Sequence, residues 1–228
     1  MTAQEPRPQT RRYHSEVRAN QAAATRSRIL DAAADLFTTT GYTGTSLADI
    51  AQAADVSVET VKLVGPKRRL LLNAFTHSFA GRDDITSLAD HGPITEITAD
   101  PDNTRYLAGI VHFVAESNRR SSVLWTTLLS AASSDALLTQ ELDGLQQRRR
   151  ADMLVLVDEL RRRGLANTDS PREILADAIS FILSPEGYNQ LVLDSGWHRP
   201  DYEAWLARTI LLTCAQDNSY SPAHKTGK

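Results

Sequence analysis

The sequence predicts an all-α protein with a small N-terminal three-helix domain and a larger C-terminal helical domain. Three observations support this fold class. Residues 25–72 carry the pattern of one helix, a helix–turn–helix and a basic run that opens a further helix. Helix start and stop signals recur through the rest of the chain, whereas the alternation typical of strands persists nowhere. The length of 228 residues suffices for one small and one medium domain.

The first helix of the small domain is predicted by apolar side chains at positions i, i+3, i+4, i+7 and i+8. These residues form one stripe that can face a core: Ile29, Ala32, Ala33, Leu36 and Phe37. Gly41 follows the stripe, and glycine readily takes the left-handed conformation that ends a helix. The sequence therefore predicts that this helix ends just before Gly41.

A second, short helix is predicted directly after it. Thr45 or Ser46 can serve as its N-cap, and Asp49 is placed to complete a capping box. Leu47, Ile50 and Ala51 form its inner face. Because the alanine side chain is small, it permits a close crossing by the next helix.

The third helix runs from residue 58 to about residue 64 and follows a turn of residues 55–57. Asp55 tolerates a positive φ better than most residues, and Ser57 can cap the helix. Val56 and Val61 point inward and hold the helix on its support. The outward side chains suit contact with a DNA groove because they include Thr, Lys and apolar groups: Val58, Glu59, Thr60, Lys62 and Leu63.

This stretch resembles the TetR family of transcriptional repressors. The matching residues are ILDAAADLFTTTGYTGTSLADIAQAADVSVETVK, followed by KRRLLL, and they cover roughly the first third of the chain. A helix–turn–helix pattern alone is weak evidence. The first-helix stripe and the GY, TS, DIA and VS-x-x-T groups in register make this resemblance specific.

The chain departs from the family pattern at two places. The family usually has glycine where this chain has Asp55, and it favours tyrosine where this chain has Lys62. An aromatic residue that follows in the family is missing, because residues 64–67 are one residue short. The resemblance therefore implies an intact groove-binding surface whose phosphate contacts are redistributed.

Contacts with double-stranded DNA are predicted for eight residues. Phosphate contacts are assigned to Thr45, Ser46, Lys62 and Lys67. Contacts with base edges are assigned to Val58, Glu59, Thr60 and Leu63. The glutamate can accept a hydrogen bond from a cytosine amino group, and the apolar side chains can contact a thymine methyl group.

The distribution of charge agrees with this assignment, although the formal net charge is −3. Residues 1–82 hold eleven Lys and Arg against seven Asp and Glu. The remainder holds fourteen against twenty-one. The basic part is thus the part with the motif, as a phosphate-binding module requires.

Domain boundaries follow from composition and motif. Residues 1–24 are predicted to be a flexible basic arm, whose arginines either reach a DNA groove or belong to a tail without a role: Arg7, Arg11, Arg12 and Arg18. The DNA-binding domain is expected at residues 25–66 and a helical effector-binding and dimerisation domain at residues 67–216. Residues 217–228 are expected to be a disordered tail.

The C-terminal domain is predicted from helix start and stop signals. A helix opens with the basic run at residues 67–69 and ends at Gly81, and a loop with one short helix extends to about residue 102. Further helices are expected to begin at residues 102, 123, 135, 171, 185 and 200, mostly after Asp or Ser caps and at first-turn prolines. The helix that begins near residue 135 ends at a run of three arginines before Gly164, which suits a helix C-terminus.

The resemblance implies a homodimer in which the last two helices of each chain form a four-helix bundle. Two C-terminal apolar stripes are compatible with this interface, although both could instead face the chain's own core: Ile174, Ala178 and Ile182, with Trp205, Leu206 and Ile210. A two-fold dimer presents two recognition helices about one helical turn apart, or a small multiple, which implies a palindromic operator.

The resemblance also implies a ligand pocket in the C-terminal domain. Its candidate lining residues are Phe79, Tyr106, His112, Phe113, Trp125, Leu128, Asp177, Phe181 and Tyr188. His112 and Asp177 are the polar candidates, on the condition that they are buried. The implied mechanism has two states: without effector the dimer holds its helices at operator spacing, and a small-molecule effector favours another spacing.

Other function classes have no support in the sequence. The single Cys214 excludes an intramolecular disulfide and a cysteine-based zinc cluster, and its apolar surroundings predict a buried side chain. No cofactor, metal, secretory signal or membrane span is expected, and a cytoplasmic location is predicted. An enzyme on a helical scaffold lacks any catalytic motif. A DNA-binding or docking protein without an effector remains an alternative, which a filled C-terminal core would favour and an open cavity would not.

Overall fold

The computed structural model describes residues 10–81 and 92–215, with side chains from residue 18 onward. Within these ranges the chain is helical and contains no strand, as the sequence predicts. The helices are α1 (Thr10–Thr39), α2 (Gly41–Gly44), α3 (Leu47–Ala53), α4 (Val58–Val64), α5 (Lys67–Ala80), α6 (Gly92–Ala99), α7 (Asn103–Ala132), α8 (Ala136–Arg162), α9 (Arg172–Ile182), α10 (Pro185–Tyr188) and α11 (Arg199–Ala215). A π-helical turn, Asn189–Asp194, joins the last two.

Helix α1 begins earlier than the sequence indicates. Residues 10–24, expected to be a flexible arm, extend this helix to Thr10. The side chain of Arg18 is exposed, whereas Arg7 and the side chains of Arg11 and Arg12 lie outside the described part of the chain. The expected tail at residues 217–228 also lies outside it.

The helix–turn–helix forms through the local signals that predict it. Ser46 caps α3, and its hydroxyl accepts from the Asp49 amide while the Asp49 carboxylate accepts from the Ser46 amide, which completes the capping box. Ser57 caps α4. Asp55 has a φ of 52°, so the aspartate adopts the left-handed conformation that the family usually gives to glycine.

The DNA-binding helices share one core with the C-terminal domain. Buried side chains of α1, α3, α4 and α5 pack with the second half of α7 and the first turns of α8. Phe37 at the centre is fully buried, and the Thr127 hydroxyl donates to its carbonyl across 3.4 Å. This continuous core crosses the domain boundary suggested after residue 66, so a shift in the C-terminal helices can reach the helix–turn–helix through packed side chains.

Helix α7 corrects the prediction of a separate helix near residue 123. The polar stretch 117–122 suggests a break, but it lies inside one continuous helix that Asp102 caps. Two of its buried side chains donate to backbone carbonyls, which helps the helix to tolerate them. The Ser121 hydroxyl donates to the Ser117 carbonyl at 2.8 Å, and the Asn118 amide donates to carbonyls at the end of α9.

A second core fills the far end of the molecule, between α7, the second half of α8 and the helices α9 to α11. Ser184 caps α10 and restarts the helix, as predicted. At the start of α9 the cap differs from the prediction, because Pro171 occupies the N-cap position and Ser170 lies before it. Cys214 is fully buried, as predicted, and burial raises the pKa of its thiol to about 11.

Candidate DNA interface and C-terminal cavities

The outer face of α4 is built to contact a groove. Val61 is fully buried and holds the helix against α3, where Ala51 is also buried. On the opposite side Leu63 is 87% exposed and is therefore available for an apolar contact. Glu59 and Lys62 lie beside it, and their charged groups are 3.8 Å apart and exposed. The face therefore presents the apolar and charged groups that base edges and phosphates can meet.

Two residues assigned to base edges, Thr60 and Val58, are less exposed than Leu63, Glu59 and Lys62. Thr60 is partly buried, and its hydroxyl lies 2.9 Å from the Ser57 hydroxyl, so it also belongs to the cap of α4. Val58 is partly buried against the N-terminal core. Both residues remain on the first turn of α4, which is the turn that a recognition helix directs into the groove.

The structure corrects one assignment to phosphate. Thr45 is 2% exposed, and its hydroxyl is within hydrogen-bonding distance of the Leu36 and Gly41 carbonyls. It fixes the end of α1 and cannot reach a phosphate. Ser46 is exposed at the start of α3, so its assignment to a phosphate contact is kept as a proposal.

Lys67 lies at the N-terminus of α5 and is held by the short loop around α2. Its ammonium group lies 4.6 Å from the centre of the Tyr42 ring and 3.4 Å from the Thr43 carbonyl. Partial burial lowers the pKa of Lys67, and the charge of Asp49 opposes this shift. Tyr42 thus supports the lysine, and Lys67 and the N-terminus of α3 lie close to each other.

Two cavities lie side by side in the C-terminal domain. The inner cavity has a volume of about 120 Å³ and an apolar wall that includes Phe75, Phe79 and Trp125. The outer cavity has a volume of about 570 Å³ and lies among α6, α7 and α8. Both are lined by the same four residues where they meet: Val114, Asp152, Met153 and Leu183. Together they can hold an elongated, mainly apolar molecule.

Several of the predicted pocket residues line these cavities, and others do not. Phe79 and Trp125 line the inner cavity, and Tyr106 and Phe113 the outer one. Leu128 and Tyr188 are buried in the two cores and line neither cavity. Four further lining residues were not predicted as part of the pocket, because their placement depends on how α5 and α8 pack: Phe75, Arg149, Asp152 and Met153.

The polar candidates for the pocket are on the surface, which corrects the prediction. His112 lies 3.2 Å from Glu203, with its side chain 64% exposed. Asp177 forms an exposed ion pair with Arg150 at 3.0 Å. Phe181 is 79% exposed and points away from the cavities. These residues were candidates for the pocket that the resemblance implies, with burial as the condition for His112 and Asp177. The sequence alone does not distinguish the side of a helix that faces the cavities from the side that faces solvent.

Comparisons with known proteins agree with this architecture. The family model described as bacterial regulatory proteins, tetR family, matches residues 29–61, which are the helix–turn–helix and the helix that supports it. Residues 29–61 therefore carry the sequence pattern of the DNA-binding segment of the TetR family. TetR-family regulators are DNA-binding transcriptional repressors with a C-terminal ligand-binding domain.

Solved structures share the fold of this chain. A candidate fatty acid metabolism regulator of Clostridium perfringens is 17% identical, with a TM-score of 0.61, and 82% of this chain aligns with 97% of that one. A candidate TetR-family transcriptional regulator from Rhodococcus sp. is 19% identical, with a TM-score of 0.60, and 84% aligns with 98%. SmeT in complex with triclosan is 17% identical, with a TM-score of 0.57, and 90% aligns with 98%. No curated protein matches the sequence.

The TetR family places its dimer interface on the last two long helices, and here the predicted stripes need correction. Leu206 and Ile210 of α11 are fully buried in the chain's own core, and Ile182 of α9 is also buried there. Trp205 is partly buried and stacks on Tyr202. These four residues therefore pack mainly within one chain.

A different set of apolar side chains faces outward on the same two helices. On α9, Ile174 and Phe181 are exposed and Ala178 between them is partly buried, at positions i, i+7 and i+4. On α11, Leu211 and Leu212 are exposed. We refer to these five residues as the outer apolar face. The sequence missed the two leucines because they are adjacent to the buried side of the same helix.

Residues 10–81 and 92–215 contain neither a metal site nor a membrane span. There, no group of three His, Cys, Asp or Glu side chains is arranged to bind a metal ion. No helix in these ranges combines the length and the apolar character that crossing a membrane requires.

Proposed function

We propose that this protein is a homodimeric repressor of the TetR family that binds a palindromic operator and leaves it when a small-molecule effector binds. The proposal rests mainly on the outer face of α4, where Leu63, Glu59 and Lys62 are exposed while Val61 anchors the helix. An exposed leucine beside charged groups on a capped, supported helix fits a major groove better than it fits water.

The cavities support the effector. A regulator that only dimerises or docks another protein needs a filled C-terminal core, whereas this domain contains about 120 Å³ and about 570 Å³ of space. Effector binding changes DNA affinity only if the effector prefers one of the two arrangements of the domain. Phe75 and Phe79 of α5 give a path for that preference, because they line the inner cavity on the helix that follows the helix–turn–helix.

Two further parts of the proposal follow from the mode of action. We infer that the protein works by binding and has no catalytic activity of its own, since TetR-family regulators are generally transcription factors. We also infer a cytoplasmic location, where the operator DNA of a bacterium is accessible. The outer apolar face supports the homodimer, because it places exposed large side chains on the helices that the family uses for association.

Selection of random duplex DNA by the purified protein tests the proposal directly. The selected DNA is sequenced after rounds at two salt concentrations, so that non-specific binding can be separated from groove recognition. We expect an enriched palindrome with half-sites one or two helical turns apart. No enrichment at either salt concentration would refute operator recognition, and an enriched single half-site would refute the dimeric mode.

Lys67→Ala is expected to weaken binding to every sequence by a similar factor. Loss of one phosphate contact reduces the slope of log K against log salt by roughly one unit per half-site. The measurement is a salt titration of operator affinity by fluorescence anisotropy. Arg150→Ala is the control, since that arginine pairs with Asp177 far from α4. An unchanged salt slope in the Lys67 variant would remove this lysine from the interface.

A further inference from the structure

Among the described residues, positively charged side chains outnumber negatively charged ones at the inner cavity. Arg148 and Arg149 of α8 line its wall. Asp152, the carboxylate among its described lining residues, is located where the two cavities meet and is itself engaged in an interaction. The described wall of the inner cavity therefore has more positive than negative charge.

Arg149 is the unusual member of this group. It is mostly buried, and its Nε and Nη2 atoms donate to the Ser180 hydroxyl at 3.2 Å and to the Ser180 carbonyl at 2.7 Å. Both acceptors are neutral. Burial lowers the pKa of Arg149, and the more distant charge of Glu186 opposes this shift. In the part of the chain that the structure describes, no carboxylate lies within ion-pair distance of this guanidinium.

Three other arginines of α8 and α9 do have carboxylate partners. Arg150 pairs with Asp177 at 3.0 Å, and Arg162 pairs with Glu159 at 2.5 Å. Arg172 pairs with Asp158 at 2.5 Å. Asp158 and Glu159 line the outer cavity, so these pairs neutralise two acidic residues of its wall. A partly desolvated cation is costly when no carboxylate lies within ion-pair distance, as is the case for Arg149 among the described residues. Its position beside a cavity points to an anion that arrives from outside.

We propose that the effector is an organic carboxylate with an apolar, preferably aromatic body, and that Arg149 binds its carboxylate group. This inference rests on the proposed function and specifies the chemistry of its effector. The body of the ligand lies between Phe75, Phe79 and Trp125, and a longer ligand continues past Met153 into the outer cavity. A guanidinium suits this role because its planar donors match the two oxygens of a carboxylate.

A purely structural role for Arg149 makes a different prediction. Its bonds to Ser180 tie α8 to α9, so replacing it could loosen the domain and weaken every ligand alike. A ligand-binding role instead changes the ratio between the affinities for an acid and for its neutral analogue. That ratio is measured within one protein and is independent of a general loss of stability.

The test uses three matched probes with the same phenylalkyl body: 4-phenylbutyrate, 4-phenylbutan-1-ol and 4-phenylbutylamine. Their binding to the full-length protein is measured by calorimetry, with Trp125 emission as a second readout because its ring lies in the wall. We expect the acid to bind most tightly. In Arg149→Gln the affinity for the acid should fall by about tenfold to a hundredfold, as expected for a charge-assisted hydrogen bond, while that for the alcohol stays the same.

Two variants complete the experiment. Arg150→Gln removes the adjacent, surface-exposed arginine and should leave the acid-to-alcohol ratio unchanged. Arg149→Lys keeps the positive charge and should retain part of the preference for the acid over the alcohol. It replaces Arg149→Gln as the test variant if the glutamine variant does not fold.

The proposal is overturned if the alcohol or the amine binds wild type as tightly as the acid. It is equally overturned if Arg149→Gln and Arg149→Lys keep the wild-type ratio, or if the acid fails to bind at millimolar concentration. DNA selection without effector tests operator recognition separately. If a palindrome is enriched and any of these results is found, the carboxylate effector is refuted while operator recognition is still supported.

Discussion

Phe181→Asp is expected to convert the protein to a monomer and to abolish tight operator binding. The side chain is 79% exposed on α9 as part of the outer apolar face, so its replacement removes little packing within one chain. In a two-fold interface each substitution appears twice and buries two unpaired carboxylates. We expect dimer affinity to fall by at least about 3 kcal/mol, which is more than a hundredfold.

The loss of operator affinity follows from geometry. Each chain contributes one α4, and a monomer engages one half-site only, so it loses the gain from joining two binding events. Sedimentation velocity gives the oligomeric state, and anisotropy on the selected operator gives the affinity. Circular dichroism then shows whether the helical content survives.

A matched control separates the interface from a general effect of surface charge. Leu137 is 55% exposed at the start of α8, away from the outer apolar face, and Leu137→Asp adds the same charge to a similarly exposed apolar site. We expect this variant to remain a dimer with unchanged operator affinity. If Phe181→Asp stays dimeric, or if both variants dissociate equally, the outer apolar face is not the interface.

The helix–turn–helix could be predicted in detail because its signals are local. The capping box of Ser46 and Asp49, the cap at Ser57 and the inward Val61 each depend on residues within a few positions. The same holds for the positive φ of Asp55, where a short polar side chain replaces the usual glycine. Thr45 was misassigned because its partners, the carbonyls of Leu36 and Gly41, belong to the preceding helix and loop.

The helices of the C-terminal domain could be predicted from the sequence, but the side of each helix that is buried could not. Helix α11 is apolar on more than one side, so Leu206 and Ile210 in the core cannot be distinguished by period from Leu211 and Leu212 on the surface. Cavities are spaces between helices, and no residue pattern within one helix encodes them. Arg149 shows this clearly, since it stands between two arginines that are both exposed.

Ion pairs between residues far apart in sequence could not be predicted either, because they depend on how the helices pack. Glu116 on α7 is an example. Its carboxylate accepts from Arg119 at 2.7 Å, from Arg120 at 3.2 Å and from Arg199 of α11 at 2.6 Å. Arg120 also donates to the Ser78 and Phe79 carbonyls at the end of α5. One carboxylate thus connects a helix of the proposed dimer interface with the helix that follows the DNA-binding helices.

Glu116→Gln is expected to destabilise the protein at neutral pH and to have little effect near pH 2. The hydrogen bond from Arg119, with the charges of Arg199 and Arg120, lowers the pKa of Glu116 to about 2. A carboxyl group whose pKa is lowered by folding adds stability above its unfolded pKa of about 4.3, and this contribution is lost as the pH falls towards the folded value. At pH 7 we expect the free energy of unfolding to fall by about 1–3 kcal/mol, because the variant leaves three guanidinium groups around a neutral amide.

Urea unfolding of wild type and variant at a series of pH values measures this difference. It should be constant above about pH 5 and should shrink between about pH 4.3 and pH 2, where wild-type Glu116 takes up a proton. Glu96→Gln is the control, because Glu96 is exposed on the short helix α6 and the substitution removes the same charge. A difference that does not vary with pH would mean that the glutamine disturbs packing rather than charge. If the pH signature appears, the effector dependence of operator binding in the same variant shows whether the link from α11 through Glu116 and Arg120 to α5 transmits the state of the C-terminal domain.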